Sequence, residues 1–426
     1  MIEGELYMTP VIIAGIENEQ ENFDYTMAEL ASLAEAANME VTRQFKQKLE
    51  RPIAATYLGK GKAEEIKTAG AVTDSQILIL NDELTPTQIR NLENITEMRV
   101  LDRTALILEI FAARAKTKEA KLQVQVAKLQ YQLPRLHTGL ADKLDQQTAG
   151  NAGGGYTNRG AGETKRELNR RVIEKKISAL NKELKTIDKE HQTRRKQRQR
   201  SEIKTAALVG YTNAGKSTTL NGLLRLFGET KNKEVFEKDM LFATLDTSVR
   251  RLHFDDNKEI LLSDTVGFVS KLPHQLIKAF RTTLAEAANA DLLVQVVDLS
   301  DEHYQAMIET TEKTLTEIGV TDIPMLYVFN KADKLAVSYP SLAGKELTFS
   351  AQDDESLKVL AELLKQELFK DYQIHEYLIP YAKGNIVEEL NQKATVLETE
   401  YLADGTKIKA EVAPALAGRL TKYQLN

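Results

Sequence analysis

The spacing of apolar residues changes character several times along the chain. VIIAGI (residues 11–16) is a short continuous apolar run that predicts a strand, and residues 23–37 carry helical spacing. AATYLG (54–59) predicts a second strand with a helix near 62–68, and ILIL (77–80) a third with a helix near 87–92. Short β-rich runs alternating with helices predict a small open α/β sheet domain over residues 1–103. Within it, LGKGK (58–62) reads as a turn before a helix. Beyond residue 104 the period becomes purely helical. Leu122, Val126, Leu129 and Leu133 fall at steps of 4, 3 and 4, and Pro134 ends the run, which predicts one long helix over 104–133. Ile173, Ile177, Leu180, Leu184, Ile187 and His191 repeat the alternation. Two such stripes predict an antiparallel helical hairpin packed along a coiled-coil seam, residues 104–200.

Between the stripes lies TAGNAGGGYTNRGAGE, residues 148–163, with five glycines between 150 and 160. It reads as a loop longer than a helical hairpin needs. Its glycines would let backbone approach a phosphate or an RNA surface closely. A flexible linker is the plain alternative. Residues 201–370 return to alternating strands and helices. In residues 371–426, TVLETEYL and KIKAEV flank ADGT, whose Asp-Gly pair is a hairpin signal in a small α+β domain. The expected fold is therefore multidomain α/β: an N-terminal α/β sheet domain, a helical hairpin, a P-loop domain and an α+β C-terminal domain.

Composition narrows the function classes. Two to four domains suit 426 residues. The absence of cysteine excludes disulfides, a thiolate nucleophile and Cys-ligated zinc. The richest apolar run, TALILEIFAA, is interrupted by Glu109 and falls short of the roughly 18 residues of a membrane span. MIEGELYMTP lacks the plan of a signal peptide, so the expectation is a cytoplasmic protein with no membrane partner, monomeric when free. The net charge of −5 hides an asymmetry: residues 163–204 hold 15 Lys/Arg against 7 Asp/Glu, a net of +8, which leaves −13 on the rest. A basic module on an acidic protein points to a polyanionic partner, and a solvated charged helix is the plain alternative.

The chemistry is concentrated in residues 206–351. AALVGYTNAGKSTTL is a strand, then Gly210-Tyr211-Thr212-Asn213-Ala214-Gly215-Lys216-Ser217, then a helix opening at Thr218. In that context the glycines turn successive backbone N–H groups toward phosphates at a helix N-terminus. Lys216 is expected to reach the β- and γ-phosphates and Ser217 to ligate Mg2+. In LFATLD, the stretch Phe242-Ala243-Thr244-Leu245 offers a threonine for Mg2+ and the γ-phosphate. DTVGF (264–268) follows an apolar strand. Asp264 suits a water-mediated contact to Mg2+, with Thr265 and Val266 leading to Gly267, whose N–H suits the γ-phosphate. Lys216, Thr244 and Gly267 are the groups expected to act on that phosphate. Asn330-Lys331-Ala332-Asp333 ends a buried strand, and an Asp333 carboxylate accepts from both N1–H and N2–H2 of guanine, a pair adenine lacks. Ser350-Ala351 ends another, where a backbone N–H would read guanine O6. Phe268 stands where Ras-like GTPases carry the water-aiming glutamine, so any hydrolysis must place its water by other means.

VLDRTALILEIFAARAKTKEAKLQVQVAKLQYQLPRL and RGAGETKRELNRR resemble the signatures of the HflX family, ribosome-associated GTPases related to Obg. YLGKGKAEEI and FATLD fit too, and the resemblance covers nearly the whole chain. The family usually reads GGGxGxRGPGE; here Thr157 and Ala161 replace a glycine and the proline, and residues 140–150 are also atypical. The resemblance implies a GTP-hydrolysing switch on the large ribosomal subunit and its rRNA, partly ribosome-associated in the cytoplasm, that dissociates stalled or idle ribosomes under stress. It also implies that a hydrophobic residue at 268 is normal, with Mg2+, Lys216, loop backbone and partner-ordered elements doing the catalysis. Some glutamine-less GTPases use an asparagine at the place of Asn213 to hold K+; loop shaping is the simpler role. Candidate RNA contacts are Arg159, Lys165, Arg166, Arg170, Arg171, Arg194, Arg195 and Lys196. A subunit-assembly or RNA-modification GTPase, or a GTP-controlled coiled-coil scaffold, are the alternatives.

Overall fold

The computed structural model describes residues 8–18, 22–136, 158–200, 203–228, 241–242, 248–273, 276 and 287–425. It forms two compact units: Met1–Arg194 with Lys238–Asp246 and Val269–Thr282, and Arg195–Glu237 with Thr247–Phe268 and Thr283–Asn426.

The first unit is built on four parallel strands, β1 (Thr9–Glu17), β2 (Met39–Lys48), β3 (Ile77–Leu80) and β4 (Arg99–Asp102), in the order β2-β1-β3-β4. Helices cover both faces, as parallel sheets require. Ile12, Ala14, Leu78 and Leu80 pack with Ile66 of α2 (Lys60–Thr73) and Leu92 of α3 (Pro86–Thr96). Met27, Leu30 and Leu33 of α1 (Phe23–Ala36) and Leu106, Ile107 and Ile110 of α4 (Arg103–Arg114) are fully buried on the other side. Two expectations need correction. Residues 54–59 are not a strand: Tyr57 takes a left-handed φ of 62° inside a turn closed by an Ile53–Tyr57 bridge. The second strand is β2, an edge strand whose polar alternation, MEVTRQFKQK, conceals it. β4 escaped notice as well.

The single helix expected over 104–133 is two. Thr117 accepts from the Ala120 N–H (3.1 Å) and caps a new helix, α5 (Lys118–Gln132), after an extended Ala115. α4 therefore belongs to the sheet domain. α6 (Asn158–Arg200) starts inside the stretch read as loop; residues 148–157 lie outside the described residues. Ile173, Ile177, Leu180, Leu184 and Ile187 are its half-buried stripe, with mostly exposed neighbours. Lys118 pairs with Glu183 (2.5 Å), whereas Leu133 lines a groove with Glu174 and Ile177, so α5 and α6 run antiparallel.

The second unit has a seven-stranded sheet ordered β10-β11-β9-β8-β5-β7-β6, in which β6 is Ser248–His253, β10 is Ser341–Ala343 and β11 is Glu346–Thr348. Its central strands are β5 (Lys204–Val209), β7 (Glu259–Asp264), β8 (Leu292–Asp298) and β9 (Met325–Asn330), all parallel to one another. Leu208, Leu262, Val294 and Val328 lie in its core with Leu220 of α7 (Lys216–Phe227) and Leu360 of α9 (Asp354–Leu368), helices that flank α8 (Tyr304–Glu317) in sequence. A second sheet, β12-β14-β13, contains the ADGT hairpin between β13 (Thr395–Leu402) and β14 (Gly405–Val412), plus a strand not anticipated, β12 (Gln373–Ile379).

Candidate nucleotide site

The site forms at the carboxyl ends of β5, β7, β8 and β9, where open α/β sheets present loops to ligands. The chain leaves β5 at Gly210, whose φ of 142° and near contact with the Val296 carbonyl leave no room for a side chain. Asn213 and Gly215 are also left-handed (φ 61° and 96°), and a Cβ on Gly215 would run into the Asn330 amide. α7 then starts at Lys216. The Lys216 ammonium is buried and donates to the carbonyls of Gly210 (3.1 Å) and Tyr211 (2.6 Å). Burial lowers its pKa to about 8, against the raising effect of the Asp264 carboxylate.

β7 runs parallel to β5, with Leu208 beside Asp264, and so delivers Asp264 to the start of α7. Ser217 Oγ donates to Asp264 Oδ2 at 2.6 Å, and Asp264 is fully buried. Thr265 Oγ1 donates to the Leu208 carbonyl (2.7 Å). The following residues lie across the P-loop. Phe268 N–H donates to the Gly210 carbonyl (3.1 Å), and Thr212 N–H donates to the Phe268 carbonyl (2.8 Å). A side chain at Gly267 would sit 2.7 Å from Thr212 Cα and 3.0 Å from Lys216 Nζ, so only glycine allows this approach. The Phe268 ring is 1% exposed and forms part of the interior. Thr212 is buried, whereas Asn213 is exposed.

The base side is an interlocked set. Asn330 Nδ2 donates to the Ala214 carbonyl and its Oδ1 accepts from the Ala351 N–H, both at 2.9 Å. That N–H, expected to read guanine O6, is thus engaged in bracing the P-loop. Asp333 Oδ1 accepts from Ser350 Oγ (2.6 Å), which orients the carboxylate. Lys331, left-handed at φ 64°, is paired with Asp298 (2.6 Å). Asp298 was missed by sequence reasoning; its signal is its place at the end of β8, in register with Asn330.

Other predicted residues fall elsewhere. Ala243, Thr244 and Leu245 lie outside the described residues. Phe242 belongs to the first unit, where its ring meets Phe111 edge-on at 4.6 Å. The side chains of Arg159, Lys165, Arg166, Arg194, Arg195 and Lys196 are outside the described residues too. Arg170 and Arg171 are exposed, in ion pairs one turn away with Glu174 and Glu167. Thr218 follows Ser217 in the first turn of α7, partly exposed.

Three family models cover most of the chain: a GTP-binding GTPase N-terminal domain at residues 24–112, a GTP-binding GTPase middle region at 114–198, and a 50S ribosome-binding GTPase domain at 205–331. The GTPase HflX of Caldanaerobacter subterraneus subsp. tengcongensis is 40% identical over 412 residues, 97% of this chain and 92% of its own. This chain belongs to the HflX family of GTPases. The HflX proteins of Alkalihalophilus pseudofirmus (39% over 393 residues; 92% of this chain, 90% of that one) and Escherichia coli (36% over 392; 91% and 89%) agree. The P-loop is therefore that of an enzyme that hydrolyses GTP. GTPases of this fold work with Mg2+, and the donor set fits: a hydroxyl and a buried carboxylate, both hard oxygens, in contact beside the phosphate loop. Among the described residues, no helix is long and apolar enough to cross a membrane.

Proposed function

We propose that this HflX-family GTPase binds the large ribosomal subunit in its GTP form and dissociates stalled or idle ribosomes. The observation that most supports it is the join between α6 and β5. The helix that carries most of the +8 charge ends at Arg200, and the strand feeding the P-loop begins at Lys204. A polyanion-binding rod so joined to a nucleotide switch suits a partner made largely of RNA. The family description of residues 205–331 as a 50S ribosome-binding GTPase supports the same partner, and with it a place in the cytoplasm.

In this reading Lys216 and the P-loop N–H groups hold the β- and γ-phosphates, Asp333 holds guanine, and Gly267 N–H and Thr244 meet the γ-phosphate. Ser217, Thr244 and, through water, Asp264 hold Mg2+, which supplies positive charge opposite the phosphate oxygens. No side chain aims the water from position 268, so intrinsic turnover is slow and a bound partner completes the site. A potassium ion beside Asn213 is a further contributor of positive charge; the exposed, left-handed geometry of Asn213 equally serves loop shape.

The test is sedimentation and light scattering with ribosomes. The expected result is binding and subunit separation with a non-hydrolysable GTP analogue, weak binding with GDP, and a steep loss of affinity with salt. Equal binding in the two nucleotide states would sink the reading.

A further inference from the structure

β8 ends in a carboxylate, Asp298, whose partners are Ser300 and Lys331. Asp298 stands in register with Asn330 on β9, and the backbone already joins the two strands there, with Leu299 N–H donating to the Asn330 carbonyl at 2.9 Å. The sheet therefore does not need this side chain to hold it together. Both carboxylate oxygens are engaged nonetheless. Oδ1 accepts from Ser300 N–H (3.0 Å) and Ser300 Oγ (2.6 Å), and Oδ2 accepts from Lys331 Nζ (2.6 Å). The Lys331 and Asp298 side chains are 17% and 16% exposed. An ion pair so far withdrawn from water adds little stability over an apolar contact of the same size, and its value lies in the geometry it fixes. Ser300 orients the carboxylate. The carboxylate in turn holds a lysine whose long stem would otherwise sample many rotamers.

The guanine contact hangs on that lysine. Lys331 is left-handed at φ 64°, a conformation costly to any residue with a Cβ and kept only where its surroundings hold it. It opens the turn that presents Asp333. Lys334 N–H donates to the Lys331 carbonyl (3.0 Å), Ala332 N–H donates to the Phe349 carbonyl (3.2 Å), and Asp333 stands between them, exposed. Ser350 Oγ orients the Asp333 carboxylate through Oδ1, but the backbone that carries the side chain is set from Lys331. Reading N1–H and N2–H2 of one base needs two oxygens facing two donors together. A small rotation of the turn keeps one such bond and spoils the other.

We propose that Asp298 is a positioning residue for guanine recognition: by clamping Lys331 it holds the left-handed turn from which Asp333 reads both donors of the base. The proposal rests on the reading of Asp333 as the guanine contact.

The experiment measures the affinities of the full-length protein for GDP and for inosine diphosphate, which lacks the 2-amino group. Asp298→Asn keeps the shape and an acceptor for Ser300 N–H but removes the charge that faces Lys331. GDP should weaken about tenfold and inosine diphosphate at most about threefold, so the preference for GDP shrinks by about threefold. Ser300→Ala, at a partly exposed position with little risk to folding, should shift the preference the same way by about twofold. In an Asp333→Asn background, Asp298→Asn should leave the preference where Asp333→Asn alone puts it, because the two act through one contact. Equal weakening of both nucleotides, or an unchanged preference in folded Asp298→Asn, would overturn the proposal; should that variant not fold, an unchanged preference in Ser300→Ala would do the same. Asp333→Asn alone separates the two readings. If it leaves the preference for GDP intact, the guanine reading falls and takes the proposal with it. If it abolishes that preference while Asp298→Asn leaves it whole, only the proposal falls.

Discussion

Nucleotide binding should take up a proton at Lys216. In the empty site the ammonium is buried with a pKa of about 8, well below the ordinary 10.5. An arriving phosphate brings negative charge beside the ammonium, which raises that pKa again. The sign follows directly. Above pH 8 the empty site is increasingly neutral and binding must re-protonate it, so affinity falls as pH rises through about 8. From pH 7 to 8.5 the expected loss is roughly fourfold, about 0.8 kcal/mol, with uptake of about half a proton at pH 8. The window stops below the titration of guanine's own N1 proton. Folding carries the mirror effect. A lysine depressed from 10.5 to about 8 costs the empty protein roughly 3 kcal/mol at pH 8 and below, a cost that fades as pH rises toward 10.5. Nucleotide should therefore raise Tm more at pH 7 than at pH 8.5. The assay is calorimetric titration with GDP in buffers of different ionisation enthalpy, which counts protons. No proton uptake between pH 7.5 and 8.5, with flat affinity, would refute the reasoning.

Two further tests address residues with assigned roles. Asp333→Asn should weaken guanine nucleotides by a factor of about 100 or more and favour xanthine nucleotides, whereas Ser350→Ala, which only frees the carboxylate to turn, should cost about tenfold; nucleotide competition checks both. Phe268→Leu should leave basal hydrolysis within a few-fold, because the ring is interior and its backbone makes the P-loop bonds. In the same hydrolysis assay, equal rates in potassium and sodium salts would remove the ion proposed at Asn213.

The P-loop was legible because its chemistry is local: Gly210, Gly215 and Lys216 are set by backbone geometry within eight residues. DTVGF and NKAD were legible because each ends an apolar strand. Asp298 and the Ser350–Asp333 bond were not, since strand register, not sequence distance, brings them together. β2 was hidden because an edge strand is half polar, and its buried positions are outnumbered by Arg43, Lys46 and Lys48. The break at Ala115 was hidden because α4 and α5 both carry apolar helical spacing, and only Thr117, a capping residue, marks the division. The glycine content of residues 158–163 argued for a loop, yet the helix includes Gly160 and Gly162. Each costs about 1 kcal/mol relative to alanine, which a 43-residue helix packed along a seam absorbs. The Glu29–Arg103–Ser270 cluster was beyond reach, because its members are separated by up to 241 positions.

The same signature that carries the family likeness explains why two opposite charges stand side by side at the end of β4. Asp102 is fully buried and accepts from the N–H groups of Ala105 (2.8 Å) and Leu84 (3.1 Å), from Tyr131 Oη (2.8 Å) and from Arg135 (3.1 Å). Burial, with the adjacent carboxylate, pushes the Tyr131 pKa far up, so its hydroxyl remains a donor at every physiological pH. The Arg135 guanidinium stacks 3.4 Å from the Tyr131 ring centroid. Asp102 thus starts α4 and pins the end of α5. Arg103, its neighbour, faces Glu29 and Ser270. A buried carboxylate with four donors cannot shift without leaving some of them unsatisfied, and the peptide bond ties any such shift to Arg103. The end of α5 and Ser270 are therefore anchored by two consecutive residues at one strand end. A separate pair of anchors would let Tyr131 or Ser270 shift alone; two residues joined by one peptide bond do not.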